Sequence, residues 1–173
     1  MDRAPKSHRN SLTAHVQMNA IGNFFGGNVG LDYERFLDKQ GYISAAVSLN
    51  YGVINDHFLD GQINEYTDAN PFYATPGIRV HPFGNARRVD LSIGSQLAIG
   101  DVYTRHITKD NQGGKLTIKS DLFMMAYVAE INANFHPEGR TVFGLHFGIG
   151  QHTAASEIDR TFFEFGLRVG SGF

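Results

Sequence analysis

The chain has 173 residues, of which 15 are basic and 17 acidic, giving a formal net charge of −2. This length suits one domain, and the balanced charge without a basic cluster argues against a nucleic-acid-binding protein. The absence of cysteine excludes a disulfide framework and a thiolate metal site. No run of about 18 apolar residues is present, which excludes a transmembrane helix but not transmembrane β-strands of about 9–11 residues.

Apolar and polar residues alternate with period two along most of the chain, and this pattern predicts β-strands. The predicted fourth strand includes Pro76 and Pro82. Because proline cannot donate a ladder hydrogen bond, this strand is expected to be locally bulged or irregular. Eight segments are predicted as strands, at about 15–25, 29–34, 43–53, 72–83, 89–100, 116–135, 142–149 and 163–170.

The predicted connections differ in length at the two ends of these strands. Tight turns are expected at 38–41, 84–87 and 136–139, whereas 55–70, 104–115 and 152–159 read as long polar loops. A further turn, Gly26-Gly27-Asn28, is expected between the first two strands. Short turns at one end and long loops at the other are typical of outer-membrane barrels. We therefore predict an all-β fold, a closed antiparallel up-and-down eight-stranded transmembrane β-barrel over residues 14–173, after a flexible polar segment 1–13.

One face of the predicted strands carries small residues and charges of both signs. Such a set suits the narrow interior of an eight-stranded barrel, where side chains fill the space. A solvated outer face would carry more Lys and Glu. The predicted polar network of the lumen, in which the charged members form ion pairs, consists of Asp32, Glu34, Arg79, Asp90, Gln96, His146, Glu164 and Arg168.

Aromatic residues gather near the ends of the predicted strands. Two aromatic girdles that flank an aliphatic band mark the two interfaces of a membrane barrel. The residues assigned to these girdles are Tyr33, Tyr42, Tyr51, Phe72, Phe83, Tyr103, Phe135, Phe143, Phe163 and Phe173.

The last strand ends in the aromatic residue Phe173, and its alternate residues form one apolar stripe. This pattern resembles the C-terminal strand of outer-membrane barrels, whose final aromatic residue is read by the barrel assembly machinery. Residues 19–173 resemble the outer-membrane protein β-barrel domain family of Gram-negative bacteria. The resemblance is carried by this C-terminal strand and by the stretches GLDYERFLDKQGYISAAVSLNYG and ATPGIRVHPFGNARRVDLSIGSQLAIG. The resemblance implies an integral outer-membrane location, contact with outer-membrane lipids and lipopolysaccharide, and recognition of Phe173 by the assembly machinery.

The N-terminus lacks the apolar segment of a signal peptide, so the predicted location supposes that a signal peptide has been removed. The first functional hypothesis is a monomeric, non-enzymatic outer-membrane protein with a narrow polar lumen. It would have a structural, adhesive or accessory role through long extracellular loops and would not form a wide pore. No catalytic residue, cofactor or nucleic-acid partner is predicted. The eight histidines show no HxH or HExxH spacing, so no metal site is expected either.

Two alternatives remain open at this stage. A soluble, lipocalin-like barrel would bind an apolar ligand with Phe123, Met125, Tyr127, Phe147 and Phe165 turned inward. A lipid A-modifying hydrolase would use His152. The lipid A deacylases carry a His-x-Ser pair, whereas here Thr153 and Ala154 follow His152, and Ser156 and Glu157 lie further on.

Overall fold

The computed structural model describes residues 8–21, 24–55, 66–85, 88–109, 114–137, 140–152 and 161–173. Each strand pairs with the next in antiparallel fashion, and β8 pairs with β1, so the sheet closes into an up-and-down barrel. This confirms the predicted fold class. The eight strands are β1 (Asn10–Ile21), β2 (Phe24–Phe36), β3 (Ile43–Asn55), β4 (Tyr66–Val80), β5 (Val89–Lys109), β6 (Lys115–Phe135), β7 (Thr141–His152) and β8 (Thr161–Gly172).

The strands are staggered around the barrel. Following the paired residues once around the barrel from Ser11 leads back to β1 at Ile21, ten positions further along the strand. A closed barrel with such a stagger has strands tilted by about 35–45° from its axis. The seam between the first and last strands extends to the chain end, where Asn10 N–H donates to the Phe173 carbonyl at 2.9 Å and Phe173 N–H donates back at 2.8 Å.

The first two strands begin earlier than the sequence pattern predicts. β1 starts at Asn10 and pairs with β2 along its whole length, and Gly26, Gly27 and Asn28 lie within β2. The predicted turn at these three residues is therefore wrong. Gly26 is needed for close packing, because a Cβ there would lie 2.6 Å from the Cα of Ile54 on β3. Of the segment 1–13 that was predicted to be flexible, residues 1–7 fall outside the described chain, and residues 10–13 belong to β1.

Proline interrupts the fourth strand without shifting its register. β4 ends at Val80, so Pro82 lies in the connection to β5. The ladder between β4 and β5 stops after Ala74 and resumes at Gly77 in the same register, which leaves out Pro76 and its neighbour. The predicted irregularity is present, but no residue is inserted and the strand is not bulged.

β5 and β6 extend well beyond most of the barrel, and β4 accompanies β5 as far as the pair of Tyr66 with Ile107. Their ladder runs from Val89 paired with Phe135 to Lys109 paired with Lys115, whereas β7 pairs with β6 only from Ala126 onward. The prediction of a loop over 104–115 is therefore wrong, because most of this segment is strand. The polar side chains of this segment do not prevent pairing, because a strand outside the membrane needs no apolar outer face. We call residues 66–72, 101–109 and 115–123 the protruding sheet.

The opposite end, called the short-turn end, includes the described residues of the connections 37–42, 81–88 and 136–140 and the outer ends of β1 and β8. The first connection is built on Asp38, whose carboxylate accepts backbone N–H bonds from Gln40, Tyr42 and Ile43 at 3.1, 2.9 and 2.8 Å. Gly41 and Gly84 adopt φ values of 72° and 69°, which glycine tolerates at no steric cost.

Apolar side chains cover the outside of the barrel, and polar ones fill the inside. On β8, for example, Phe165 and Leu167 are 51% and 60% exposed, whereas Glu164 and Arg168 are each 6% exposed. This distribution is the inverse of that in a soluble barrel. The alternative of a lipocalin-like barrel is wrong, because its proposed ligand-binding residues all lie on the exposed outer face: Phe123, Met125, Tyr127, Phe147 and Phe165.

Candidate functional site: the barrel lumen

The structure places all eight residues of the predicted polar network in the lumen, on five different strands. Each is buried, because the alternation of side chains turns one residue in two toward the axis. The eight are Asp32 and Glu34 on β2, Arg79 on β4, Asp90 and Gln96 on β5, His146 on β7, and Glu164 and Arg168 on β8.

Arg79 lies at the centre of this network and is 2% exposed. Its Nε donates to Glu130 Oε1 at 2.6 Å, and its Nη1 donates to Asp32 Oδ2 at 2.8 Å. The same Nη1 lies 3.7 Å from Glu34 Oε2. Ser48 Oγ donates to the second oxygen of Asp32 at 2.6 Å. One guanidinium thus joins three carboxylates from two other strands, and this bonding compensates part of the cost of burying the charges.

A second group of ion pairs surrounds Glu164 and Arg168 on β8. Gln17 Nε2 donates to Glu164 at 2.6 Å, and His146 lies 3.9 Å from Glu164 and 3.2 Å from Glu130. Arg168 donates to Asn132 and lies 3.5 Å from Asp32. The two groups share Asp32 and Glu130, so they form one continuous network across the lumen.

Glu130 belongs to this network but is absent from the predicted set. It lies on β6, 1% exposed, and bonds to Arg79 and His146. The apolar run from Leu122 to Val128 hid the alternation of this strand in the sequence. The sequence nevertheless indicated that Glu130 faces the lumen, because Glu130, Asn132 and Asn134 alternate along the strand and so share one face. All three are buried.

A serine, a histidine and an aspartate line up near the short-turn end. Ser44 Oγ lies 3.0 Å from His81 Nε2, and His81 Nδ1 lies 2.9 Å from Asp90. These distances match those of a catalytic triad. The hydroxyl of Ser44, however, donates to Glu34 at 2.6 Å, and His81 is fully buried against two carboxylates. The hydroxyl hydrogen of Ser44 is therefore directed at a carboxylate and not at His81, and the arrangement is a buried hydrogen-bonded ion pair without the serine-to-histidine bond of an activated nucleophile.

Hydrogen bonding determines the protonation state of His81, which follows the end of β4. Burial on its own lowers the pKa of His81, but hydrogen bonds to Asp90 and Glu34 outweigh burial and raise it to about 9. Since this value exceeds the ordinary 6.5, protonated His81 stabilises the fold fully below pH 6.5, and the contribution is lost as pH rises through about 9.

We therefore expect the free energy of unfolding to fall by about 3 kcal/mol between pH 6 and pH 10 through His81 alone. Urea titrations of the wild type and of His81→Gln, followed by far-UV circular dichroism in detergent micelles, measure this contribution as the difference between the two pH profiles. Parallel profiles for the two proteins would show that His81 carries no such charge.

The lumen contains a small polar cavity and, toward the protruding sheet, an apolar cluster. A cavity of about 20 Å³ lies among polar side chains that include Gln96, His146 and Arg168, and it has the size of about one water molecule. Toward the protruding sheet the lining becomes apolar, and Tyr73, Ala98, Met124, Ala126 and Val128 form one buried cluster. The Tyr73 hydroxyl accepts a hydrogen bond from Asn28.

The residues assigned to the aromatic girdles lie on the outer face. Tyr42 and Phe83 are in connections at the short-turn end, and Phe173 follows β8. All ten are exposed: Tyr33, Tyr42, Tyr51, Phe72, Phe83, Tyr103, Phe135, Phe143, Phe163 and Phe173.

The hydrolase hypothesis concerns the end of β7, which is at His152. Ser156 and Glu157 fall outside the described residues, so the hypothesis of a hydrolase at His152 stays untested.

The fold is similar to those of small outer-membrane barrels. A major outer membrane protein of Thermus thermophilus has a TM-score of 0.65 at 11% identity, with 96% of this chain and 100% of that chain covered. Neisserial surface protein A has a TM-score of 0.63 at 8% identity, with 95% and 97% covered. Ail of Yersinia pestis, solved with the heparin analogue sucrose octasulfate, has a TM-score of 0.61 at 13% identity, with 97% and 100% covered.

At these identities the likeness concerns the fold. No protein-family model matches the sequence, and no curated protein matches it. Membership of the β-barrel family suggested by the sequence stretches therefore stays a prediction. In the described part of the chain no helix is long and apolar enough to cross a bilayer.

Proposed function

We propose that this chain is an integral, non-enzymatic protein of the outer membrane of a Gram-negative bacterium. The observation that carries the proposal is the inverted barrel, with ion pairs inside and an apolar band outside. Water would meet this band on every strand, an area far larger than the apolar patches of soluble monomers. Acyl chains of outer-membrane lipids match it, and a closed barrel has no open sheet edge that would expose a row of unpaired backbone groups to lipid.

The packed lumen supports a sealed barrel. Charged side chains from β2, β4, β6 and β8 contact one another across the lumen, and Arg79 and Glu130 are among the residues least accessible to solvent. We expect the wild-type protein to give no steady, wide conductance in planar bilayers, with a porin recorded as the positive control. A continuous open level of porin size would contradict the sealed lumen.

The protruding sheet supports a role outside the membrane. It extends beyond the apolar band, and its strands are held by a hydrogen bond between Thr104 and Ser120 at 2.7 Å and an ion pair between Arg105 and Asp68. Residues 114–121 are all exposed. One protein of similar fold is named for attachment and invasion. We infer an adhesive or accessory role for this sheet and the loops beside it.

Shortening the β5–β6 hairpin tests that role. Residues 105–119 are replaced by Asn-Gly, a two-residue turn that suits a hairpin between Thr104 and Ser120. We expect the shortened protein to keep its barrel circular dichroism spectrum and its surface level, while cells producing it adhere several-fold less to host matrix than cells with the full hairpin. Equal adhesion at equal surface level would contradict the proposal.

The end of the chain fits recognition during assembly. Phe173 is 53% exposed on the outer face, while its backbone completes the seam with Asn10. An exposed aromatic side chain at the end of the last strand is accessible before the barrel closes. We propose that the assembly machinery recognises it there, after export by a removable signal peptide, and that the folded monomer contacts lipopolysaccharide.

A further inference from the structure

Two histidines from distant parts of the chain meet at the short-turn end. His8 precedes β1 and His136 follows β6, and their ring centroids lie 5.2 Å apart with the ring planes inclined by 53°. His136 is buried, and its Nε2 has no hydrogen-bond partner among the described residues. A buried imidazole nitrogen is normally paired, so an unpaired one calls for a physical reason.

The third histidine of this end shows the contrast. His81 uses both ring nitrogens, Nδ1 toward Asp90 at 2.9 Å and Nε2 toward Glu34 and Ser44 at 3.1 and 3.0 Å. It has no nitrogen left for a ligand. His136 bonds to the backbone of Thr141, and this contact leaves Nε2 open. A histidine that ligates a metal typically has this arrangement, with one ring nitrogen bonded to a carbonyl and the other turned to the ion.

The surroundings favour the neutral form of both rings. Burial lowers the pKa of His8 and His136 below the ordinary value, and the proximity of His136 lowers that of His8 further. Neutral imidazole is the form that binds metal ions. Glu34 and Asp90 act on both rings as the nearby negative charges. Beside His8 an open groove of about 240 Å³, lined by Arg9, Phe36, Asp38, Lys39 and Asn85, gives this ring access from solvent.

We propose that His8 and His136 bind one divalent transition-metal ion, such as Zn²⁺ or Ni²⁺, through their imidazole nitrogens. In the described part of the chain no three His, Cys, Asp or Glu side chains are arranged to hold a metal ion together, so water completes the coordination shell. A site of this kind is open and exchangeable, unlike a closed structural zinc site with four protein ligands. Imidazole selects these ions over Mg²⁺ and Ca²⁺, which prefer oxygen. The proposal does not depend on the membrane location.

The test uses the full chain, refolded without a histidine tag and freed of metal with a chelator. Isothermal titration with Zn²⁺ and with Ni²⁺ is expected to give one ion per chain, and the ion is expected to raise the melting temperature in a concentration-dependent way. His8→Gln and His136→Gln should each weaken binding at least ten-fold. The matched control, His106→Gln in the protruding sheet, should bind as the wild type does. With Cu²⁺, electron paramagnetic resonance should show hyperfine splitting from two imidazole nitrogens.

Far-UV circular dichroism and gel mobility establish that each variant is folded. If His136→Gln does not fold, His8→Gln decides the matter, because His8 precedes the first strand. Absence of saturable binding by the wild type would overturn the proposal. Binding unchanged in His8→Gln would do the same, since it would leave the two rings as an imidazole contact only.

Discussion

Replacement of Arg79 by methionine is expected to lower the free energy of unfolding by about 3–5 kcal/mol, the usual cost of removing one partner from a buried ion pair. The variant keeps most of the length of the side chain but removes the only guanidinium that bridges Asp32 and Glu130 in the described lumen. These two carboxylates and that of Glu34 then remain buried without the guanidinium that pairs with them. Because the protein has no tryptophan, unfolding in urea is followed by far-UV circular dichroism or by gel mobility.

The exposed ion pair of the protruding sheet provides the control. Arg105 pairs with Asp68 but its side chain is 46% exposed, so Arg105→Met should cost at most about 1 kcal/mol. The double variant Arg79→Met/Glu130→Gln should be more stable than the sum of the single changes predicts, by about 0.5–3 kcal/mol, because the two side chains are in contact. If Arg79→Met were as mild as the control, the network would not hold the lumen together.

Arginine in place of Leu167 is expected to destabilise the protein in lipid vesicles by about 2–4 kcal/mol, the cost of a charged side chain at the bilayer midplane. Leu167 lies at the middle of the apolar stripe of β8 and is 60% exposed. In a barrel surrounded by water the same change would be neutral or would improve solubility. The change in the free energy of unfolding caused by this substitution is therefore expected to be large in a bilayer and small in water.

Leu116→Arg is the matched control for this experiment. Leu116 is 47% exposed in the protruding sheet, next to the first residue of its strand. We expect a change of less than about 1 kcal/mol, because arginine there stays in water. Equal effects at positions 116 and 167, measured by urea titration in the same vesicles, would rule out a bilayer around the band.

Local patterns in the sequence predicted the strands and the two faces, because both depend on period-two alternation. They failed where the cause is not local. Gly26 to Asn28 read as a turn, although Gly26 serves close packing of β2 on β3. Residues 104–109 read as a loop because they are polar, yet they pair with residues 115–120.

In the lumen, too, local patterns were predicted correctly and long-range contacts were not. The sequence supplied the polar side chains of the lumen from their parity, and it missed Glu130 because apolar residues of both parities precede it on β6. Which charge meets which depends on the stagger of the closed barrel. Arg79 and Glu130 are 51 positions apart in the chain, and no spacing rule connects them. The meeting of His8 with His136 is likewise invisible before the barrel closes.

The pairing of β1 with β8 affects how this protein folds. Its pairs join residues separated by nearly the whole chain, such as Ser11 with Gly172, and contacts of this kind make folding slow. Until β8 has been synthesised and has paired with β1, every partly folded intermediate has two unpaired strand edges, and such edges can promote aggregation. Pairing of β8 with β1 removes both edges at once, because it closes the sheet into a ring.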